Sequence, residues 1–226
     1  MSQNQLKQQA AQAAMDLLAP QLKPDMVLGV GTGSTVDLFI DLLAAHKGGF
    51  KAAVSSSERS TARMRKLGIA VITLDDLSEP MPFYVDGADE IDAQLRMIKG
   101  GGGALTREKI VASAAREFVC IVDGSKLVER LGAFPLPVEI IPMARAVVAR
   151  RLERMGGHVV ERPDFLTDNG CIILDVAGLD MADPARLEGD INDIPGVVTC
   201  GLFALAGADV ALVADAHGVR RLGRGV

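Results

Sequence analysis

Between residues 25 and 123, short apolar runs rich in β-formers alternate with segments of helical length. That alternation limits the fold more than any other feature of the chain. "DMVLGV" (25–30) reads as a strand and "STVDLFIDLLAAH" (34–46) as a helix. "KAAVSSS" (51–57) is a strand running into a polar loop, and "ERSTARMRKLG" (58–68) is a helix closed by a glycine. "IAVITL" and "MPFYVD" are strands, "ALTREKIVASAAREF" (104–118) is a helix, and "VCIVD" is the next strand. The expected fold class is α/β, a mostly parallel, Rossmann-like sheet flanked by helices. The N-terminal "MSQNQLKQQAAQAAMDLLAP" reads as an amphipathic helix and lacks the pattern of a signal peptide.

The texture changes near residue 131, where "LGAFPLPVEIIP" places three prolines within 135–142. A helix ("MARAVVARRLERMGG"), strands near "CIILDVAG", a second helix ("DPARLEGDIND") and a strand at "GVVTCGLF" follow. This β-α-β-β-α-β-like order predicts a second, smaller α+β domain over 132–206, with 1–131 plus 207–226 as the larger α/β domain. The tail "ADVALVADAHGVRRLG" reads as a hairpin returning to the larger domain.

Composition excludes several function classes. Hydrophobic residues make up 49% of the chain and charged residues 23%, which supports a large core and argues against disorder. A net charge of −5, with no basic run, does not gather nucleic-acid phosphates. Aromatics at 4%, with no Trp, leave no base-stacking platform. The most apolar stretch is broken by Gly201, Gly207 and Asp209, as expected for buried strands and a turn rather than a membrane span. Cys120, Cys171 and Cys200 are isolated in apolar runs, which suggests reduced core thiols of a cytoplasmic protein. His46, His158 and His217 show no ligand spacing, so no metal is expected.

Ligands of open parallel sheets bind beyond the carboxyl ends of the strands. "GVGTGST" (29–35) lies at such an end. It is not a dinucleotide fingerprint, because Ser34 stands where the third glycine belongs, nor a P-loop, because no Lys precedes its hydroxyls. It suits one phosphate held by N–H groups and by Thr32, Ser34 and Thr35; a plain turn capped by Ser34 is the alternative. "SSSERS" (55–60) offers hydroxyls to a sugar or simply caps a helix. "YVDGADEID" (84–92) sets Asp86, Asp89, Glu90 and Asp92 within seven positions. Asp86 and Asp89 suit a general acid and base, with a divalent-cation site or a solvated turn as alternatives. "KGGGGALTREK" (99–109) carries Lys99, a four-glycine run fitted for close approach to a ligand, and Glu108 in the first helical turn with Thr106 as a possible cap. In "VDGSK" (122–126), Lys126 stands at a further strand end, where an anion would bind. The set lacks a catalytic His or positioned Cys, so a carboxylate-driven proton shuttle beside a carbonyl of a phosphosugar fits best.

"GVGTGST", "SSS", "YVDGADEID", "KGGGGALTREK", "DGSK", "PLPVEIIPMAR", "TDNG" and "IPGVVTCGLF" stand in an order and spacing that resemble type A ribose-5-phosphate isomerase, from about residue 5 to 220. The resemblance implies interconversion of ribose 5-phosphate and ribulose 5-phosphate, without cofactor, in the non-oxidative pentose phosphate pathway. It implies Glu108 as the base between C1 and C2, and Asp86 and Asp89 at ring opening and the sugar hydroxyls. Lys99 and the amides of Gly100, Gly101 and Gly102 would stabilise the enediolate or hold the open chain. Thr32, Gly33, Ser34 and Thr35, with Gly87 and Ala88, would line the substrate, and Ser34, Thr35 and Lys126 would be nearest its phosphate. It also implies a homodimer or homotetramer that buries part of the small domain. Gly103 departs from an Ala common in the family, which is expected to loosen the loop slightly, and Gly124 stands at a variable position. Glu90 and Asp92 are expected to be solvated or structural. A sugar-phosphate sensor and an acyl-CoA transferase are the rival readings; the first lacks room for a DNA-binding helix-turn-helix ahead of the first strand, the second an extra domain for the coenzyme.

Overall fold

The structure is a computed structural model and describes residues 1–223. The chain divides into two compact units: 1–87, 107–127 and the segment from Ala208 form one, and 88–106 with 128–207 form the other.

The first unit is built on a six-stranded sheet. Its strands are β1 (Val27–Val30), β2 (Ala52–Ser55), β3 (Met81–Asp86), β6 (Ala115–Asp123), β12 (Val210–Asp215) and β13 (Gly218–Gly223), in the order β13-β12-β6-β3-β1-β2. All neighbours are parallel except the β12–β13 hairpin, which forms as the tail sequence predicts. Helix α1 (Gln3–Leu18) packs on α2 (Ser34–Ala44) and on β6 and β12, with Ala10, Ala11, Ala14, Met15 and Leu18 buried. Small residues on that face let the helix lie close to the sheet. Strand order reverses between β1 and β3, and ligands of open α/β sheets bind beyond the carboxyl ends of the strands at such a reversal.

Two expectations change in this unit. "IAVITL" makes only an isolated parallel bridge, Ala53 with Val71, before a 3-10 turn over Leu74–Asp76 closes with a Thr73–Asp76 capping box. The helix expected to reach residue 118 is shorter: α4 covers Leu105–Ser113, and β6 already begins at Ala115. Pairing of Met81 with Ala115 and Phe83 with Glu117 outweighs the helical propensity of "AAREF". Cys120 and Cys200 are core residues as expected, whereas Cys171 is only partly buried.

The second unit contains β7 (Leu136–Ile140), α5 (Arg145–Arg154), β8 (His158–Glu161), β9 (Ile172–Ala177), α6 (Pro184–Asn192) and β10 (Val197–Cys200). The sheet order β10-β7-β9-β8, antiparallel throughout, is that of a split β-α-β fold. A small sheet, β11-β5-β4, joins Leu202–Phe203, Met97–Ile98 and Glu90–Ile91. These pairings group residues 88–106 with this unit, whereas the sequence reading set its boundary at 131/132.

The strand expected over "GVVTCGLF" breaks at Gly201. The Gly201 N–H donates to the Pro137 carbonyl (2.7 Å), and the Gly201 carbonyl accepts from the Lys99 N–H (2.8 Å), so the chain passes from one sheet to the other at this residue. A Cβ here would stand 2.1 Å from the Lys99 carbonyl oxygen, a backbone atom that cannot swing away. Gly201→Ala is expected to cost about 1–3 kcal/mol, seen as a lower urea midpoint at unchanged slope. An unaltered midpoint would show that the crossing can yield.

Candidate active site

In the first unit the site begins at Asp86, the last residue of β3, which has no exposed surface. Its Oδ1 accepts from the N–H groups of Thr32 (3.0 Å) and Gly87 (2.8 Å), and its Oδ2 from the Tyr84 hydroxyl (2.5 Å). Charge-assisted donors of this kind are what permit a carboxylate to be buried. Gly31 makes the approach possible, since a Cβ there would fall 2.0 Å from the Asp86 carboxyl. "GVGTGST" is thus shaped by its neighbour strand as much as by any ligand.

Helix α2 starts at Ser34. The cap position is Gly33, in a backbone conformation (φ 126°) favoured by glycine, and no side chain caps the helix. The Ser34-capped turn, the alternative reading of this loop, is therefore not made, and no side chain caps the first-turn N–H groups. Lys7 of α1 brings its Nζ to the Ser34 Oγ (2.9 Å). Nothing local in the sequence announces Lys7, because helix packing delivers it across 27 positions. Thr32 directs its hydroxyl to Ser57 (2.6 Å) and lies near Ser56 and Ser60. Ser57 caps α3 (Glu58–Lys66), and Ser60 donates to the Gly31 carbonyl (2.8 Å). The serine loop therefore takes the capping role weighed for it and props the glycine loop.

Glu108 occupies the first turn of α4 and is 4% exposed. Lys126 is half-buried in a 3-10 turn (Gly124–Lys126) directly after β6, and Asp123 caps that turn by accepting from the Ser125 N–H (3.0 Å). The groups that follow β1, β3 and β6 thus all lie at the carboxyl end of the parallel sheet.

In the second unit, Asp89 is half-buried and its Oδ2 accepts from the Gly101 N–H (2.7 Å). Lys99 is 2% exposed, with its Nζ over the Phe203 ring (5.5 Å). Gly100 and Gly103 adopt positive φ (108° and 81°), as the glycine run allows. Gly101 leaves no room for a Cβ beside Asp89 and Phe134. The expected loosening at Gly103 is not what its surroundings suggest, because a Cβ there would lie 2.2 Å from the Phe165 ring. Glu90 and Asp92 are structural and buried rather than solvated. Glu90 accepts from the N–H groups of Gly132 (2.7 Å) and Phe134 (2.6 Å), and Asp92 holds the Gln94 and Arg96 N–H groups and the Arg96 guanidinium. Thr106 lies inside α4 and donates its hydroxyl to the buried Glu139 instead of capping the helix. Glu139 also accepts from Thr167 (2.7 Å) and Asn169 (3.0 Å). Burial, and then the Glu139 charge, push the Cys171 thiol up. Among the described residues no group of three or more His, Cys, Asp or Glu is placed to hold a metal ion.

Chemically, the first unit offers an uncapped helix start for an anion, a buried carboxylate and a carboxylate in a helical first turn. The second offers a desolvated ammonium and a glycine run rich in amides. Burial, then the charges of Asp86 and Glu108, raise the Tyr84 phenol well above its ordinary value near 10. A raised folded value contributes stability fully present below about pH 10 and lost as pH climbs toward that folded value. Tyr84 is the chain's single tyrosine and there is no Trp, so ultraviolet absorbance reads it alone. The native protein is expected to show no tyrosinate signal as pH passes 10, and to gain it together with unfolding. A smooth titration near 10 in folded protein would contradict the Tyr84–Asp86 arrangement.

Residues 52–218 match the sequence pattern of the family described as ribose 5-phosphate isomerase A (phosphoriboisomerase A). The chain is 66% identical to ribose-5-phosphate isomerase A of Bordetella bronchiseptica, over 99% of each chain. Among solved structures it is similar to ribose 5-phosphate isomerase A from Neisseria gonorrhoeae, with a TM-score of 0.94, 42% identity and coverage of 100% of this chain and 99% of that one. It is also similar to a D-ribose-5-phosphate isomerase in complex with phospho-erythronic acid, with a TM-score of 0.92, 35% identity and coverage of 99% and 100%.

Proposed function

The chain belongs to the ribose 5-phosphate isomerase A family, and from that premise we propose that it interconverts D-ribose 5-phosphate and D-ribulose 5-phosphate through an enediolate. The observation that carries this reading is the burial of three ionisable side chains: Asp86 at 0% exposure, Lys99 at 2% and Glu108 at 4%. Groups of this kind are rarely buried without a reason in pairing or function.

In the proposed reaction Asp86 and Asp89 assist opening of the furanose and hold sugar hydroxyls. The Glu108 carboxylate takes the proton from C2 of the open aldose, and the C1 carbonyl becomes an enediolate oxygen. A proton passes between O2 and O1, and Glu108 returns its proton to C1 to give the ketose. Lys99 and the amides of Gly100, Gly101 and Gly102 stabilise the oxyanion. The phosphate is assigned to the α2 start (Gly33, Ser34 and Thr35, beside Thr32) with Lys126; the proximity of the Lys7 Nζ to Ser34 adds a cation there. Gly87 and Ala88 complete the substrate lining. No cofactor enters the scheme.

We place the reaction in the non-oxidative pentose phosphate pathway of the cytoplasm. A homodimer or homotetramer built on the small domain is supported by exposed apolar side chains there, Ile141 (48%), Met143 (91%) and Val147 (56%). Among the described residues no helix is long and apolar enough to cross a membrane.

Turnover of ribose 5-phosphate by purified, EDTA-treated protein tests the reading. Glu108→Gln is expected to lower kcat at least ~10²-fold with substrate binding nearly intact. Binding without turnover in the wild type would mean a sensor instead. Lys126→Ala is expected to raise KM about tenfold with little change in kcat; an unmoved KM would place the phosphate elsewhere. Loss of activity to EDTA would restore the divalent-cation reading of the acidic loop.

A further inference from the structure

We infer that Arg162 is a positioning residue that orients the peptide groups of the glycine run for oxyanion stabilisation, an inference resting on the isomerase reading above. Arg162 directly follows β8, and its N–H donates to the Ile173 carbonyl (2.9 Å). Its guanidinium is forked onto Asp175 of β9, Nε to Oδ2 at 2.9 Å and one Nη to Oδ1 at 2.6 Å. Both side chains are largely buried, at 17% and 26% exposure. The Phe165 ring lies 5.3 Å from the guanidinium carbon. The remaining Nη faces two successive carbonyls, those of Gly100 (3.2 Å) and Gly101 (3.3 Å).

A trans peptide is planar, and its C=O and the next residue's N–H point in opposite directions. Holding the Gly100 and Gly101 carbonyls toward Arg162 therefore turns the N–H groups of Gly101 and Gly102 to the other side. The first of these meets Asp89 Oδ2 at 2.7 Å. The second points the same way from an exposed residue. Glycine peptides have little intrinsic preference between such orientations, so a chain of four needs an outside agent to choose one. Asp175 fixes the plane of the guanidinium and balances its charge. Arg162 thus directs its donors to the protein and acts through the amides: the Gly101 N–H holds Asp89 on that side, and the Gly102 N–H beside it is turned to meet an oxyanion. The sequence gives no local sign of this, since Arg162 stands about sixty positions from the glycines it orients.

The test compares wild type, Arg162→Met, Arg162→Lys and Asp175→Asn. It measures kcat and KM for ribose 5-phosphate, the Kd of phospho-erythronic acid, and thermal unfolding. Phospho-erythronic acid is the probe because its planar carboxylate presents two oxygens as an enediolate does. Arg162→Met is expected to lower kcat and weaken the probe by the same factor, ~10²-fold, with KM changed less than about threefold. Arg162→Lys keeps the charge but not the fork and is expected to recover only part of the loss. A folded Arg162→Met protein with wild-type kcat and probe affinity overturns the inference. So does a variant whose melting temperature falls while kcat per folded molecule stays unchanged. If Arg162→Met does not fold, Asp175→Asn is read by the same criteria, and its unchanged kcat and probe affinity overturn the inference. A wild type that turns over the sugar while these variants match it removes this inference alone. A wild type without turnover removes the isomerase reading and this inference with it.

Discussion

A carboxylate with no exposed surface organises the first unit. Asp86 cannot sit at the end of β3 unless its charge is met by hydrogen bonds, and the backbone supplies two while Tyr84 supplies a third. That demand reaches outward. Gly31 must lack a side chain, Thr32 must present its amide, and the serine cluster must hold the turn from behind. The helix that follows then opens with an uncapped first turn because its cap position is a glycine in the same loop. One buried charge thus sets the loop geometry on the neighbouring strand, and the uncapped helix start proposed to take the phosphate follows from that geometry.

The second unit solves a different problem. Four consecutive glycines permit close backbone approach but carry little conformational information of their own. The surrounding chain supplies it. Gly201 pins the Lys99 backbone, Asp89 takes one amide, Phe165 closes the space beside Gly103, and Arg162 holds two carbonyls. A run that looks flexible in sequence is fixed by contacts from residues far along the chain.

Much of the fold was legible because hydrophobic period and turn residues act locally. The strands at 27–30, 52–55 and 81–86, the helices α2, α3 and α6, the split β-α-β order and the returning hairpin all follow from such signals. The failures lie where pairing partners decide. "IAVITL" has the composition of a strand but finds one bridge at the sheet edge, and "AAREF" is helical by propensity but is claimed by β3. At the site, motif residues at strand ends were readable because the carboxyl edge of a parallel sheet is predictable from alternation alone. Tyr84, Lys7, Glu139 and Arg162 were not. Each acts through a contact that only tertiary packing creates, and each hides in an ordinary setting: an apolar strand, a polar helix face, a strand core and a strand end.

The chain's path between units has a further consequence. The first unit is made of three separate stretches, and its β12 and β13 come from the third of them, after the whole of the second unit. β12 pairs along β6 over five positions, so the sheet lacks that partner until residues 210–215 have been made. The strands of the second unit from β7 to β10, by contrast, emerge as one uninterrupted segment. On a ribosome adding about 5–20 residues per second, the part of the protein made first is the part completed last, and its parallel edge at β6 must wait unpaired in the meantime.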